Sequence, residues 1–192
     1  MFYTFAKNKI MNSKAEKEIH ESLNSCNDTK ITDAIQKIIK KDFFVFIPKL
    51  ATLYVTTQNE DIKRIIADSF YCLKKPDSIL HIISVISDKS LVKDNKMLIA
   101  SCWNTGLDYA PHLEFFTNLV ASTEYETAIE AFTVIEEAMH YDNIEETCAL
   151  NCIAGLKSKI EMNNREKSYL YVELIKVLEK KLQQKKSAVS EN

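Results

Sequence analysis

Ile47-Pro48-Lys49-Leu50 and Ala110-Pro111-His112-Leu113 are the stretches whose reading decides the fold. In each, a proline with a leucine two residues later opens an apolar run of about three helical turns. Proline fits this position because the first N–H groups of a helix have no intrahelical partner to lose. Each run ends in a short polar link, Gln58-Asn59 or Ser122-Thr123, followed by a longer helical pattern. Ile79-Leu80-His81-Ile82 opens the pair between them without the proline. Paired helices thus recur at a spacing of roughly 31–34 residues, the signature of a stacked helical array.

Outward from these anchors, apolar residues keep helical spacing almost throughout. The pattern predicts helices over 14–25, 28–41, 45–57, 60–74, 77–88, 91–105, 109–121, 124–140, 143–161 and 165–185. Asn27-Asp28, Asn59-Glu60 and Asp142-Asn143 supply side-chain oxygens able to cap a helix start. Pro76 suits the first turn of the next helix, and Gly106 the left-handed residue that ends one. The chain has 192 residues, 46% of them apolar, with only two glycines and three prolines. That length fits one domain, and the scarcity of turn-formers argues against a β-sandwich, a Rossmann fold or a glycine-rich phosphate loop. The expected architecture is all-α, an α-α superhelix of about five helix pairs over residues 14–185. The place of residues 1–13 in the array is open, and residues 186–192 are expected to be a flexible tail.

These residues resemble the HEAT repeat family. The resemblance rests on the Pro-x-Leu starts (Pro48 and Leu50, Pro111 and Leu113) and on Asn59-Glu60-Asp61-Ile62-Lys63-Arg64, an acidic turn leading to an apolar and then a basic residue. It covers about residues 28–140. The pair at 77–105 departs from the pattern by lacking the proline, and Thr127 stands where a basic residue is typical. The segments 100–109 and 130–136 also look like uncharacterised HEAT-like bacterial proteins of Bacteroides type, which implies no particular activity. The family resemblance implies a superhelix whose second helices line a concave surface.

Charge is the feature that bears most on function. Residues 97–156 contain no Lys or Arg and carry ten carboxylates. The segments before and after are each net +4, so a near-neutral total hides a strongly acidic centre. Clustered like charge repels itself and favours partners of opposite sign. On the helix at 124–140, Tyr125, Ala128, Ile129, Phe132, Ile135 and Met139 are expected on the buried face, with Glu126, Glu130, Thr133 and Glu137 sharing an exposed one. In a HEAT-like array this stripe would face the groove, where a basic peptide or protein could dock, with Asn104 and Lys93 as neighbours. A merely solvated acidic face is the alternative.

Other chemistry is poorly represented. Glu137 and His140 form one Glu-x-x-His spacing, but a di-iron bundle needs two copies and two further glutamates. Cys148 and Cys152 share a helix face without the paired spacing of a zinc site, so they read as core residues. No metal or cofactor is expected. No hydrolase elbow, Walker loop or dinucleotide fingerprint occurs, and a non-enzymatic scaffold is the expectation. One HEAT-like family excises damaged DNA bases, and Trp103 with Asp108 and Tyr109 loosely resembles such a site. The acidic centre would repel DNA, and the structural alternative has Trp103 packed between repeats and Asp108 capping a helix. Lys176, Lys180, Lys181, Lys185 and Lys186 make a basic helix end, either a solvated cap or a surface for the acidic centre of another copy. Five scattered cysteines, no signal-like start and no long apolar run lead to a cytoplasmic expectation, away from membranes.

Overall fold

The computed structural model describes residues 14–88, 96–161 and 167–190, with side chains to residue 187. Over these residues the protein is all-helical and contains no strand. The helices are α1 (Lys14–Leu23), α2 (Asp28–Lys40), α3 (Ile47–Thr56), α4 (Glu60–Tyr71), α5 (Ser78–Ile86), α6 (Lys96–Asn104), α7 (Leu113–Ser122), α8 (Tyr125–Ala138), α9 (Glu146–Glu161) and α10 (Ser168–Ser190). Each predicted helix is present. Short 3-10 turns at Phe44–Phe46 and Ala110–His112 lead into α3 and α7.

Local chemistry explains most boundaries. The Asn27 side chain accepts from Lys30 N at 3.0 Å, and Asn59 Oδ1 accepts from Asp61 N and Ile62 N at 2.9 and 3.2 Å. These bonds satisfy N–H groups that the helix leaves open. Gly106, two residues beyond α6, has φ +65°, as a left-handed terminator should.

Three boundary expectations are corrected. Pro76 lies in a turn ahead of α5 rather than in its first turn, its carbonyl accepting from Ile79 N at 2.9 Å. Asp142 and Asn143 do not cap α9, which starts at Glu146. Asp142 instead pairs with Lys181, and Asn143 donates to Asp108. At the C-terminus α10 continues through residue 190, and Lys186 reaches Glu146 at 3.3 Å, so the expected tail begins as helix.

Neighbouring helices pack as hairpins, α1 on α2, α3 on α4, α7 on α8 and α9 on α10. Alternate helices pack as well: α2, α4, α6 and α8 side by side in one layer, and α3 on α5 and α7 on α9 in the other. α10 closes the end against α7, α8 and α9. The core between the layers is aliphatic and aromatic, with Ile35, Ile66, Ile82, Phe116 and Leu174 almost wholly excluded from water. Polar bonds tie the loops at a regular sequence offset. Asn59 Nδ2 donates to Asp28 at 2.8 Å, Lys74 to Thr105 O at 2.9 Å, Tyr141 to Gly106 O at 2.7 Å and Asn143 to Asp108 at 2.5 Å. Each joins residues 31 or 35 apart.

One basic residue is almost fully buried at a helix end. Lys167, just before α10, is 8% exposed, and its Nζ donates to the carbonyls of Val120, Ala121 and Thr123 at 3.1, 3.2 and 2.5 Å. These carbonyls end α7, where the helix leaves acceptors unpaired and the dipole is negative. Nothing in the local sequence pattern around Lys167 predicts this contact.

Candidate functional site

The acidic stripe of α8 depends on how the helix is turned, and here the structure corrects the expected burial. Ala128, Ala131, Val134, Ile135 and Ala138 are the buried residues of α8, while Tyr125 and Ile129 are 44% and 39% exposed. Phe132 and Met139 are only partly buried. The cause is packing. α8 touches α6, α7 and α10 together, and small alanines on the buried side permit close approach, whereas bulkier side chains fit the rim. The helix is therefore rotated from the expected orientation: Glu126 and Glu137 stay exposed, while Glu130 and Thr133 are half-buried rather than on a fully exposed face.

The stripe residues meet different surroundings. Glu126 is exposed and pairs across to α6, accepting from Lys96 Nζ at 2.6 Å. That hydrogen bond and the lysine's charge hold the Glu126 carboxyl below its usual range, while the same bond and the charges of Glu126 and Glu130 lift Lys96 above its own. Glu130 is half-buried and accepts from the indole Nε1 of Trp103 on α6 at 2.9 Å. Thr133 turns its hydroxyl back onto its own helix, donating to Ile129 O at 3.1 Å. Glu137 is exposed, and its side chain has no hydrogen-bond or ion-pair partner among the described residues. Glu136 next to it is held above the usual carboxylate range, first by partial burial and then by the charge of Glu137. Asn104 is exposed at the end of α6, donating to Ala100 O at 2.9 Å. Lys93 lies outside the described residues.

Two aromatic residues join the stripe that the sequence reading did not include. Trp103 is one of them. Tyr71, at the end of α4, is the other: it lies near enough to Glu130 and Asp68 to feel both charges, and partial burial with those charges raises its phenol above the ordinary value. Asp68 also lines a shallow groove between α2 and α4, with Ile39, Ile65 and Cys72. The side of the layer built by α4, α6 and α8 thus carries carboxylates interleaved with half-buried aromatic rings. A signal was available for Trp103, the single tryptophan in the chain, four residues from the buried Ile99; none was available for its pairing with Glu130.

The remaining candidates have structural surroundings. Asp108 accepts from Ala110 N at 2.9 Å and from Asn143, and Tyr109 is 2% exposed against Phe116. Asp108 is thus bonded within the chain and Tyr109 is buried. Cys152 is buried and Cys148 half-buried, and burial pushes the Cys152 thiol up to about 11. His140 lies in the turn after α8, and among the described residues no three His, Cys, Asp or Glu side chains come together as a metal site. The basic end of α10 is largely engaged within the chain: Lys176 with Glu173, Lys181 with Asp142, Lys185 with Ile144 O and Lys186 with Glu146. No helix among the described residues is long and apolar enough to cross a membrane. Comparison of the chain with protein-family models, curated proteins and solved structures finds no match.

Proposed function

We propose that the chain is a non-enzymatic scaffold that docks a basic peptide or protein in an acidic groove. In this reading the paired helices form a short HEAT-like superhelix of about five pairs, with α2, α4, α6 and α8 lining its concave side. The alternate-helix packing and the loop bonds between residues 31 or 35 apart support a repeat. A cytoplasmic setting belongs to the same reading and is supported by five unpaired cysteines.

The observation that carries the proposal is the open negative charge of the centre. Glu114, Glu124, Glu136, Glu137 and Glu145 have no hydrogen-bond or ion-pair partner with a cation among the described residues, and the segment that holds them has no Lys or Arg. Uncompensated charge steers an oppositely charged partner and helps fix its orientation. Glu126, Glu130 and Glu137 are the principal docking carboxylates, with Thr133, Asn104 and Lys93 at their margin.

The test is retention of a lysine- and arginine-rich peptide by the immobilised chain at low and moderate salt, beside the variant E126Q/E130Q/E137Q. Glutamine keeps an acceptor oxygen for Lys96 and Trp103 while removing charge. Salt-sensitive retention lost from the triple variant is expected. Equal retention by both proteins would overturn the proposal, and retention of damaged duplex DNA in place of the peptide would replace it with a nucleic-acid function.

A further inference from the structure

We infer that Trp103 and Glu130 form a belt that seats a guanidinium group, an arginine side chain of the basic partner. The inference rests on the docking reading above and narrows it to one place and one chemistry. The two side chains come from α6 and α8, which lie side by side in one layer. Trp103 is half-buried, packed against the core on one side and in part open to solvent. The bond from Trp103 Nε1 to Glu130 Oε2 fixes the indole and the carboxylate relative to each other. It leaves Glu130 Oε1 without a hydrogen-bond partner among the described residues.

A guanidinium matches both parts of this surface. It is planar and weakly hydrated, so it stacks on an aromatic face within about 6 Å, while its five N–H groups remain available in the ring plane for a carboxylate. An ammonium is compact and strongly hydrated, and makes the stack less well. An anionic ligand would be repelled by Glu130.

Among the described residues, Lys96 is hydrogen-bonded to Glu126 and its charge also reaches Glu130. Lys63 and Arg64 hold Glu60 and Asp61, Lys74 holds Thr105 O, and Lys75 holds Asp42. Residues 97–156 supply no Lys or Arg. The belt thus offers an aromatic side chain and a carboxylate oxygen that a cation of another molecule can meet.

Trp103 is the single tryptophan, so its emission reports on the belt alone. The experiment titrates the full chain with a dye-labelled arginine-serine peptide and with a lysine-serine peptide of equal charge. Peptide anisotropy measures binding, and Trp103 emission measures occupancy of the belt. Anisotropy and emission should saturate together for the arginine peptide, which should bind several-fold more tightly than its lysine counterpart. E130Q should weaken the arginine peptide about fivefold, and Trp103→Leu by roughly threefold to thirtyfold, the range that a cation–π contact spans between exposed and desolvated settings. A rise in anisotropy with unchanged emission and unchanged affinity in E130Q would remove the belt as the seat while leaving the basic-partner reading intact. Equal affinity for the two peptides would overturn the guanidinium preference. No anisotropy change with either peptide at low salt would overturn the docking reading and the belt with it.

Discussion

Replacing Lys167 by methionine should be among the most damaging single changes in this protein, and its size can be worked from the contacts. Methionine nearly matches the volume of the aliphatic stem, so the packing loss is small and the lost contacts are polar. The ammonium donates to three carbonyls at the end of α7, Val120, Ala121 and Thr123. A hydrogen bond to a charged group contributes about 1.5–3 kcal/mol, and a buried acceptor left unpaired costs about 1–3 kcal/mol. Val120 is fully buried, whereas Ala121 and Thr123 are half-buried and can recover part of their bonding from water. Ala121 O also keeps the Tyr171 hydroxyl at 3.4 Å. Against the loss stands relief of the desolvated ammonium, which cancels part of it. The balance is a destabilisation of about 3 kcal/mol, or roughly 6–12 °C in melting temperature for a chain of this size. Urea unfolding followed by far-ultraviolet circular dichroism would measure it, and hydrogen exchange would show protection falling first at the contact between α7 and α10. A K167M variant within about 0.5 kcal/mol of wild type, the ordinary range for a surface change, would refute the reasoning.

The two glycines should respond in opposite directions to alanine. At Gly106 no atom obstructs an added Cβ, but φ +65° makes G106A lose about 1–2 kcal/mol. Gly155 is inside α9, exposed and also unobstructed, so G155A should gain about 0.5–1 kcal/mol in the same unfolding assay; two changes of the same sign would contradict the backbone account. Burial pushes the Cys102 thiol from 9.0 up to about 12, so the folded state favours its neutral form. The resulting stability is complete below pH 9 and is lost as pH rises toward about 12. Subtracting a C102A titration from that of wild type should leave a falling curve over that window, and a flat difference would exclude the effect. In the native protein a thiol reagent at neutral pH should label exposed Cys26 and Cys72 well before buried Cys102 and Cys152.

The helices were legible because their signals are local. Apolar spacing over ten or more residues, an asparagine before Glu60 and a glycine after Asn104 act within a few residues of the structure they specify. Asp142 and Asn143 show where that legibility stops. Their composition suits a cap, but their side chains bond to Lys181 and Asp108, far away in sequence, and α9 begins later. The candidate site divides in the same way. That Glu126, Glu130 and Glu137 share one face of α8 follows from helical periodicity, whereas the residues opposite Glu126 and Glu130 belong to another helix.

The sequence by itself therefore determined an all-helical chain, most of the places where its helices start and stop, and an acidic centre free of Lys and Arg. Only the tertiary structure decided which side of α8 is buried, which carboxylates are paired, and that Trp103 bonds Glu130. The physical reason is range. Helix formation and capping use backbone groups about four residues apart. The rotation of a helix and the partners of its side chains depend on the combined shape of its neighbours, which α8 receives from α6, α7 and α10 at once.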